Sequence, residues 1–502
     1  MAAGSRSLPR VETGIPGLDH VAHGGFPEGR VVVVAGPAGS AKTVLAGQFL
    51  AAGAARGEPG VFVTLEESAG DLRRNLATLG FAIDEWEQSG RWCFVDGSPR
   101  YDAHLDEVLP VHFDTLLAQI GQAMDRTGAT RVVIDSFGAA GFDRDLGVSR
   151  VRLRGLLSEL RRLGATVVMT VETDHDGDSA LAGRGVEQYV ADCVVLLRNS
   201  LEGESRRRTV EVLKMRGAEH RRGQFAFTVV PGEGVVVLPI SVQGLDQGST
   251  DNRVTSGNVE LDALCGGGFF RDSIVLVSGA TGTGKTLLVT EFLAGGVTRG
   301  ERSLMLAFEE SHDQLHRNAR GWGYDFAQAE SDGLLKVVST YPEVATLEDH
   351  LVEIKRVVDA YEPDRIAIDS LSALERVGST KAFREFLIGL TSYVKAKQTV
   401  GLFTASTDSL LGGSSVTETH ISTLTDSIIV LRYVEVFGAV KRAVTVLKMR
   451  GSDHDRDIRE YRIDGTGLHV GDPFRTVAGI LSGNVVNLVS LDGSTVAAAG
   501  PG

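Results

Sequence analysis

The octapeptide Gly279-Ala280-Thr281-Gly282-Thr283-Gly284-Lys285-Thr286 matches the pattern G-x-x-x-x-G-K-[ST] in full. The glycines let the backbone fold tightly and turn successive N–H groups onto phosphate oxygens. Lys285 is spaced to reach the outer phosphates, and the Thr286 hydroxyl can ligate Mg²⁺. The stretch follows the apolar run Ser273–Ser278 and opens, from Leu287 to Leu293, into a helical pattern. A phosphate would therefore sit at a helix N-terminus, where the backbone dipoles favour anions. The chemistry this implies is binding of ATP with Mg²⁺.

A second candidate loop, Gly36-Pro37-Ala38-Gly39-Ser40-Ala41-Lys42-Thr43, with Val44 after it, follows Arg30–Ala35. Its Ala41 stands where the pattern has glycine. The cost of that Cβ is slight if the residue has φ < 0 and larger otherwise. Asp135 and Asp369 each end an apolar run (Arg131–Asp135, Arg365–Asp369), so each can hold the magnesium shell opposite Thr43 or Thr286. Glu66-Glu67 and Glu309-Glu310 follow further apolar runs. One carboxylate of each pair is a candidate base for the nucleophile that attacks the γ-phosphate. Neighbours on an extended strand point to opposite faces, so one per pair is expected to face the nucleotide; we assign Glu66 and Glu309 on this ground together with the resemblance given below. Glu309 is also a candidate for the magnesium shell. Lys214-Met215-Arg216 and Lys448-Met449-Arg450 close the apolar runs Thr209–Leu213 and Ala443–Leu447. On a strand, Lys and Arg two apart share a face with Met turned away, which suits a γ-phosphate contact delivered by a neighbouring chain.

These motifs occur twice in one order. Lys42 and Lys285, the Glu12–Asp19 and Thr255–Asp262 segments, and the two Glu-Glu pairs are each 243 residues apart; Asp135 and Asp369, and the two Lys-Met-Arg-Gly segments, are 234 apart. Such periods mean duplication of a whole domain, not a solenoid. Within each unit apolar runs alternate with helical stretches, as in Val61–Leu65, then Ala69–Gly80, then Arg131–Ile134. That alternation predicts an α/β fold with a mostly parallel, helix-covered sheet and ligands at the carboxyl ends of its strands. The polar stretch Ser241–Asn252 reads as the linker, giving domains 1–246 and 247–502.

The chain has 502 residues, 42% of them hydrophobic, and a net charge of −14. So acidic a protein is poorly suited to bind nucleic acid through its phosphates, and DNA is not expected as a partner. Three cysteines without a CxxC motif fit a reduced compartment. The absence of an apolar run of about 18 residues leads us to expect a cytoplasmic protein with no membrane association. Asp174-His-Asp-Gly-Asp178 starts like a calcium loop but has Ser179 and Gly185 where Gly and Glu are needed. Arg206–Arg208 reads as a surface turn. His312 and His316 share a helical face, but no HExxH motif or third metal ligand is apparent.

Taken together, the paired phosphate loops, the paired Glu-Glu, the paired K-M-R-G-x-x-H ending at His220 and His454, and Thr417–Asp426 resemble the KaiC family. The resemblance runs from about residue 10 to about residue 485, and its motifs follow the family's order. It implies two tandem RecA-like phosphate-loop domains in a homohexamer of stacked rings, with ATP between neighbouring subunits. It further implies ATP hydrolysis in the first domain, serine/threonine autokinase and autophosphatase activity in the second, and clock or signalling proteins as possible partners. It places Ser422 and Thr423 on the phospho-acceptors, Thr417 on an auxiliary one, and Glu309 on the kinase base. Nucleotide contacts would come from Thr78, Lys214, Met215, Arg216, Ala218 and His220 in the first domain. Trp322, Arg442, Lys448, Met449, Arg450, Ser452 and His454 would supply them in the second. An offset of 234 sets Gln188 and Tyr189 opposite Ser422 and Thr423, so acceptors occur in the second unit only. Residues 484–502 show no clear match to the family's activator-binding tail. Two alternatives remain open at this stage: a nucleotide-gated scaffold with little turnover, and a DNA-dependent ATPase of the RecA type.

Overall fold

A computed structural model describes residues 8–98, 100–102, 107–109, 113–136, 146–173, 191–202, 205–239, 248–407, 421, 423–475, 477–481 and 486–487. The chain divides into two compact units, 1–242 and 243–502. Residues 241–247 of the expected linker lie outside the described residues.

The first unit is built on β1 (Val31–Gly36), α1 (Lys42–Ala55), β2 (Gly60–Thr64), α2 (Ala69–Ala77), α3 (Ile83–Gln88), β3 (Trp92–Asp96) and α4 (Phe113–Thr127). It continues through β4 (Arg131–Asp135), α5 (Leu146–Arg162), β5 (Thr166–Glu172), β6 (Cys193–Glu202), β7 (Ser205–Met215), β8 (Gln224–Val230) and β9 (Gly234–Leu238). Its nine-stranded sheet has the order β3-β2-β4-β5-β1-β6-β7-β8-β9. The six strands from β3 to β6 are parallel, and β7 to β9 extend the sheet as antiparallel meanders. Every residue of Val31-Val-Val-Val-Ala-Gly36 is buried, as expected of a central parallel strand covered on both faces. Alternate residues of β1 supply two apolar cores: Val32 and Val34 pack with α1, whereas Val31, Val33 and Ala35 pack with α4 and α5.

The second unit repeats the plan. The strands of its main sheet are β10 (Ile274–Gly279), β11 (Ser303–Ala307), β12 (Leu335–Ser339), β13 (Arg365–Asp369), β14 (Val400–Ser406), β15 (Ser427–Val436), β16 (Ala439–Met449), β17 (Arg459–Asp464) and β18 (Gly467–Pro473). Among its helices are α6 (Lys285–Val297), α7 (His312–Gly321), α8 (Phe326–Ser331), α9 (Leu347–Tyr361), α10 (Leu371–Glu375) and α11 (Thr380–Ala396). The sheet order β12-β11-β13-β14-β10-β15-β16-β17-β18 matches that of the first unit strand for strand. The chain is thus two tandem RecA-like domains, each a mostly parallel sheet flanked by helices. In both, the phosphate loop leaves the strand from which the chain winds outward in two directions, where open α/β sheets bind ligands.

Each unit is tied together by a buried arginine at the first residue of the aspartate-bearing strand. Arg365 is fully buried and its Nε donates to Glu301 Oε2 at 2.6 Å. Its Nη1 donates to Thr255 O (2.7 Å) and Phe292 O (3.0 Å), and the guanidinium lies 5.1 Å from the Phe292 ring centroid. Arg131 makes the same set with Glu58, Glu12 O, Phe49 O and the Phe49 ring. Replacing Arg365 with Met would keep the volume but leave Glu301 and two carbonyls without their donor. That change is expected to cost about 3–5 kcal/mol. It would be read as a lowered urea midpoint for the second unit's unfolding with the first unit's transition unmoved.

Candidate functional site

The two phosphate loops close over their own lysines. Lys285 Nζ donates to Gly279 O (2.8 Å) and Ala280 O (3.1 Å), and Lys42 Nζ to Pro37 O (2.8 Å). Burial pushes both ammonium groups below the usual lysine range; Asp369 and Glu309 oppose this at Lys285, and Glu172, Asp135 and Glu66 at Lys42. Thr286 Oγ1 donates to Asp369 Oδ2 at 2.7 Å, and Thr404 Oγ1 holds the other carboxylate oxygen. Thr43 and Thr170 hold Asp135 in the same way. Burial raises both aspartates above the ordinary carboxylate range. Hydroxyl and carboxylate thus converge on one point in each unit, and an all-oxygen set of this kind suits Mg²⁺.

The loops differ at their last turn. Gly284 caps α6 at φ 99°, while Ala41 caps α1 at φ 67°. The alanine therefore adopts the left-handed conformation that a Cβ disfavours, the costlier of the two cases. The other loop residues, Gly39, Ser40, Val44, Thr281, Gly282, Thr283 and Leu287, lie where the pattern places them, with Ser40 and Thr283 fully buried.

The glutamate pairs require a correction. Strands β2 and β11 end at Thr64 and Ala307, so Glu66-Glu67 and Glu309-Glu310 lie beyond the strands and the alternating-face argument does not apply to them. Both members of the second pair approach the site. Glu309 accepts from Ser370 Oγ (3.1 Å) and Arg376 (3.2 Å), whereas Glu310 is raised by burial and then by the charge of Asp369. Glu67 is raised likewise, by burial and then by Asp135. The Ser68 and Ser311 side chains accept from Asp71 N and Gln314 N at the next helix, and stopping the strand short makes room for these caps.

The Lys-Met-Arg segments lie at the other end of the sheet from their own phosphate loops. Met449 pairs with Ser427, which pairs with Val275, and Arg450 N donates to Asp426 O, beside the start of β10. Five residues of strand, about 16 Å, separate that level from Gly279. Lys448 Nζ turns further away, to Thr425 O (2.6 Å), and Arg450 Nη2 to Thr423 O (3.1 Å). In the first unit Arg216 N bonds to Asp192 O at the level of Val31, five residues from Gly36. Met215 and Met449 pack into the cores, as the alternation requires. Ala218, His220, Ser452 and His454 follow at this far end, Ser452 accepting from Arg253 Nη2 (2.5 Å). Thr78 and Trp322 cap the C-terminal ends of α2 and α7.

Arg442 is near its own loop. It lies 5.8 Å from the Tyr433 ring centroid, and the Tyr433 hydroxyl packs on Gly282. Its counterpart 234 residues earlier is Arg208, whose Nε donates to Gly39 O at 3.3 Å. Residues 206–208 therefore form part of strand β7 and not a surface turn, and Arg208 is a loop contact that the repeat offset could have identified. Tyr461, whose hydroxyl donates to Thr283 O, also went unnoticed, since a tyrosine in a strand has no distinguishing spacing. Thr423 is exposed, while Ser422, Thr417, Gln188 and Tyr189 lie outside the described residues. Among the described residues no helix is long and apolar enough to cross a membrane.

Comparison with known proteins identifies the family to which this fold belongs. A family model described as the KaiC ATPase matches residues 11–242 and again residues 254–474. A circadian clock protein KaiC3 of Synechocystis sp. is 53% identical over 480 residues, covering 95% of this chain and 94% of that protein. Circadian clock oscillator proteins KaiC of Thermostichus vulcanus and of a Nostoc species are 46% and 45% identical, covering 98% and 97% of this chain and 94% and 93% of those proteins.

The left-handed Ala41 leads to a paired prediction. Ala41→Gly should stabilise the first unit by about 0.5–1 kcal/mol, the left-handed strain less glycine's added freedom when unfolded. Gly284→Ala should destabilise the second by more, because its Cβ would also lie 2.6 Å from Ile463 Cδ1. Denaturant unfolding of the two variants measures both.

Proposed function

The chain belongs to the KaiC family of ATPases, and from that premise we propose that it is a homohexameric Mg-ATP hydrolase whose second unit phosphorylates its own serine and threonine. The observation that carries this reading is the position of the Lys-Met-Arg segments. Cations about 16 Å from their own phosphate loop cannot touch a γ-phosphate bound there. They can do so across a ring, where the far end of one sheet meets the loop of the next copy. Arg450 and Lys448, and Arg216 and Lys214, would then complete a neighbour's site as arginine fingers do.

Within one chain the loop N–H groups and Lys285 would hold the phosphates, and Lys285 would give up its carbonyl partners to do so. Mg²⁺ held by Thr286 and Asp369, with Thr43 and Asp135 as the first-unit pair, would neutralise charge on the outer phosphates. In the second unit Glu309 would accept the proton of the Ser422 or Thr423 hydroxyl. The hydroxyl oxygen would bond to the γ-phosphorus as its bond to the ADP oxygen breaks. In the first unit water would take the place of the hydroxyl, with Glu66 as the base. The resemblance of the relatives named for circadian clocks supports a clock or signalling setting for these reactions.

Incubation with γ-labelled ATP followed by mass spectrometry should place phosphate on Ser422 or Thr423, with Glu309→Gln lowering incorporation at least about 100-fold; label absent from both residues would remove the autokinase. Completion in trans has its own measurement. Lys285→Ala and Arg450→Ala chains, each inactive in phosphorylation alone, should regain activity when mixed and reassembled, whereas a pocket completed within one chain gives no recovery.

A further inference from the structure

In the second unit, helices α7 and α8 bring together His312, His316 and Glu330 beside the edge strand β12. The two imidazoles are one helical turn apart on α7, with ring centroids 4.1 Å apart. Both present Nε2 to one oxygen: Glu330 Oε2 is 2.8 Å from His312 Nε2 and 3.0 Å from His316 Nε2. The three donor atoms lie within 4.8 Å of one another and all three residues are half-buried. The other carboxylate oxygen, Oε1, is fixed by Val337 N at 2.9 Å, so Oε2 is the one left facing the histidines. His316 Nε2 is buried and, despite its short distance to Glu330, makes no hydrogen bond of acceptable geometry among the described residues. The His316 ring is held edge-on to Phe326, and the Asp313 carboxylate lies 3.7 Å from His312 Nδ1.

We propose that His312, His316 and Glu330 form a binding site for a divalent transition-metal ion, separate from the magnesium positions of the phosphate loops. Two imidazoles and one carboxylate suit Zn²⁺, Co²⁺ or Ni²⁺ far better than Mg²⁺ or Ca²⁺, which prefer oxygen alone. Histidines one turn apart on a helix aim at a common point, and three protein ligands leave room for water in a fourth position. A buried nitrogen lacking a well-formed hydrogen bond is satisfied by an ion at that point, and Val337 N and Asp313 are placed to orient the ligands from behind. Sequence spacing did not reveal the third ligand because Glu330 belongs to the next helix.

The duplication provides an internal control. At the offset of 243 residues, His312, His316 and Glu330 correspond to Ala69, Arg73 and Glu87. There Arg73 pairs with Glu87 through two hydrogen bonds of 2.6 and 3.0 Å. The first unit thus keeps the carboxylate but satisfies it with a guanidinium, which cannot ligate a metal. Glutamate is common to both units, and the two histidines are what the second unit adds.

The test uses untagged full-length protein stripped of transition metals, with excess Mg²⁺ and ATP to fill the phosphate-loop sites. Titration with Co²⁺ should give ligand-field absorption that saturates at about one ion per chain and is displaced by Zn²⁺. His316→Ala and His312→Ala should each abolish that absorption while far-UV circular dichroism and the first unit's ATP hydrolysis stay unchanged. The double change Ala69→His, Arg73→His in the wild-type background should create a second equivalent. Absence of Co²⁺ absorption in the wild type, or its persistence in both single variants, would overturn the assignment.

Discussion

One buried guanidinium per unit sets the spacing on which the site depends. Arg365 at the start of β13 is bonded to Phe292 O near the middle of α6 and to Thr255 O, ahead of the main sheet's strands. The helix from Thr286 to Phe292 and the strand from Arg365 to Asp369 are rigid over those lengths. Fixing Arg365 against Phe292 O therefore fixes Thr286 against Asp369, and the two meet at 2.7 Å. Burying an always-charged group is costly unless its donors are matched. Here Glu301 and two carbonyls take its Nε and Nη1 donors, and Gly296 leaves the room, since a Cβ there would lie 2.7 Å from the Arg365 side chain. The first unit solves the same problem with Arg131, Glu58 and Gly53.

That rigidity explains the electrostatics of the loops. Burial works against charge on both Lys285 and Asp369, and each partly supports the other's ionised form. Lys285 donates to two loop carbonyls, which are weaker partners than an anion. Burial outweighs the support that Asp369 and Glu309 give to the Lys285 ammonium. Such a group favours an incoming phosphate more strongly than an exposed lysine would, because less water must be removed from it on binding.

The parts of this arrangement written as local patterns were readable from sequence. Glycine spacing, an apolar run ending in Asp and a doubled order of motifs each reflect a backbone requirement within a few residues. They led to the phosphate loops, to Asp135 and Asp369, and to the α/β architecture. What escaped were features that depend on where an element stops or on what lies opposite. Glu66 and Glu309 were judged as strand residues, but Ser68 and Ser311 serve as helix caps and end the extended backbone earlier. Arg208 looked like part of a charged surface cluster until β7 placed it against Gly39. Glu330 joins two histidines only because α8 folds back on α7. The Lys-Met-Arg segments were legible as strand-end cations, but the end of the sheet they occupy follows from antiparallel pairing, which no residue in them encodes.

Duplication also shows where two copies of one fold were free to diverge. The sheet orders are the same, and the arginine hubs and the magnesium-type pairs use corresponding residues in the two units. One difference that bears on the phosphate loop lies at its last turn. In the second unit Gly284 takes the left-handed turn without a Cβ, and the Tyr461 hydroxyl holds Thr283 O. In the first, Ala41 takes the turn with one, and Phe227, at the position of Tyr461, has no hydroxyl to give. Each loop is tied to its sheet by a side chain, the second by Tyr461 at Thr283 O and the first by Arg208 at Gly39 O, but the first carries a left-handed Cβ at its last turn. The two units therefore differ in where the phosphate loop is tied and in the backbone strain of its last turn, within an otherwise common frame.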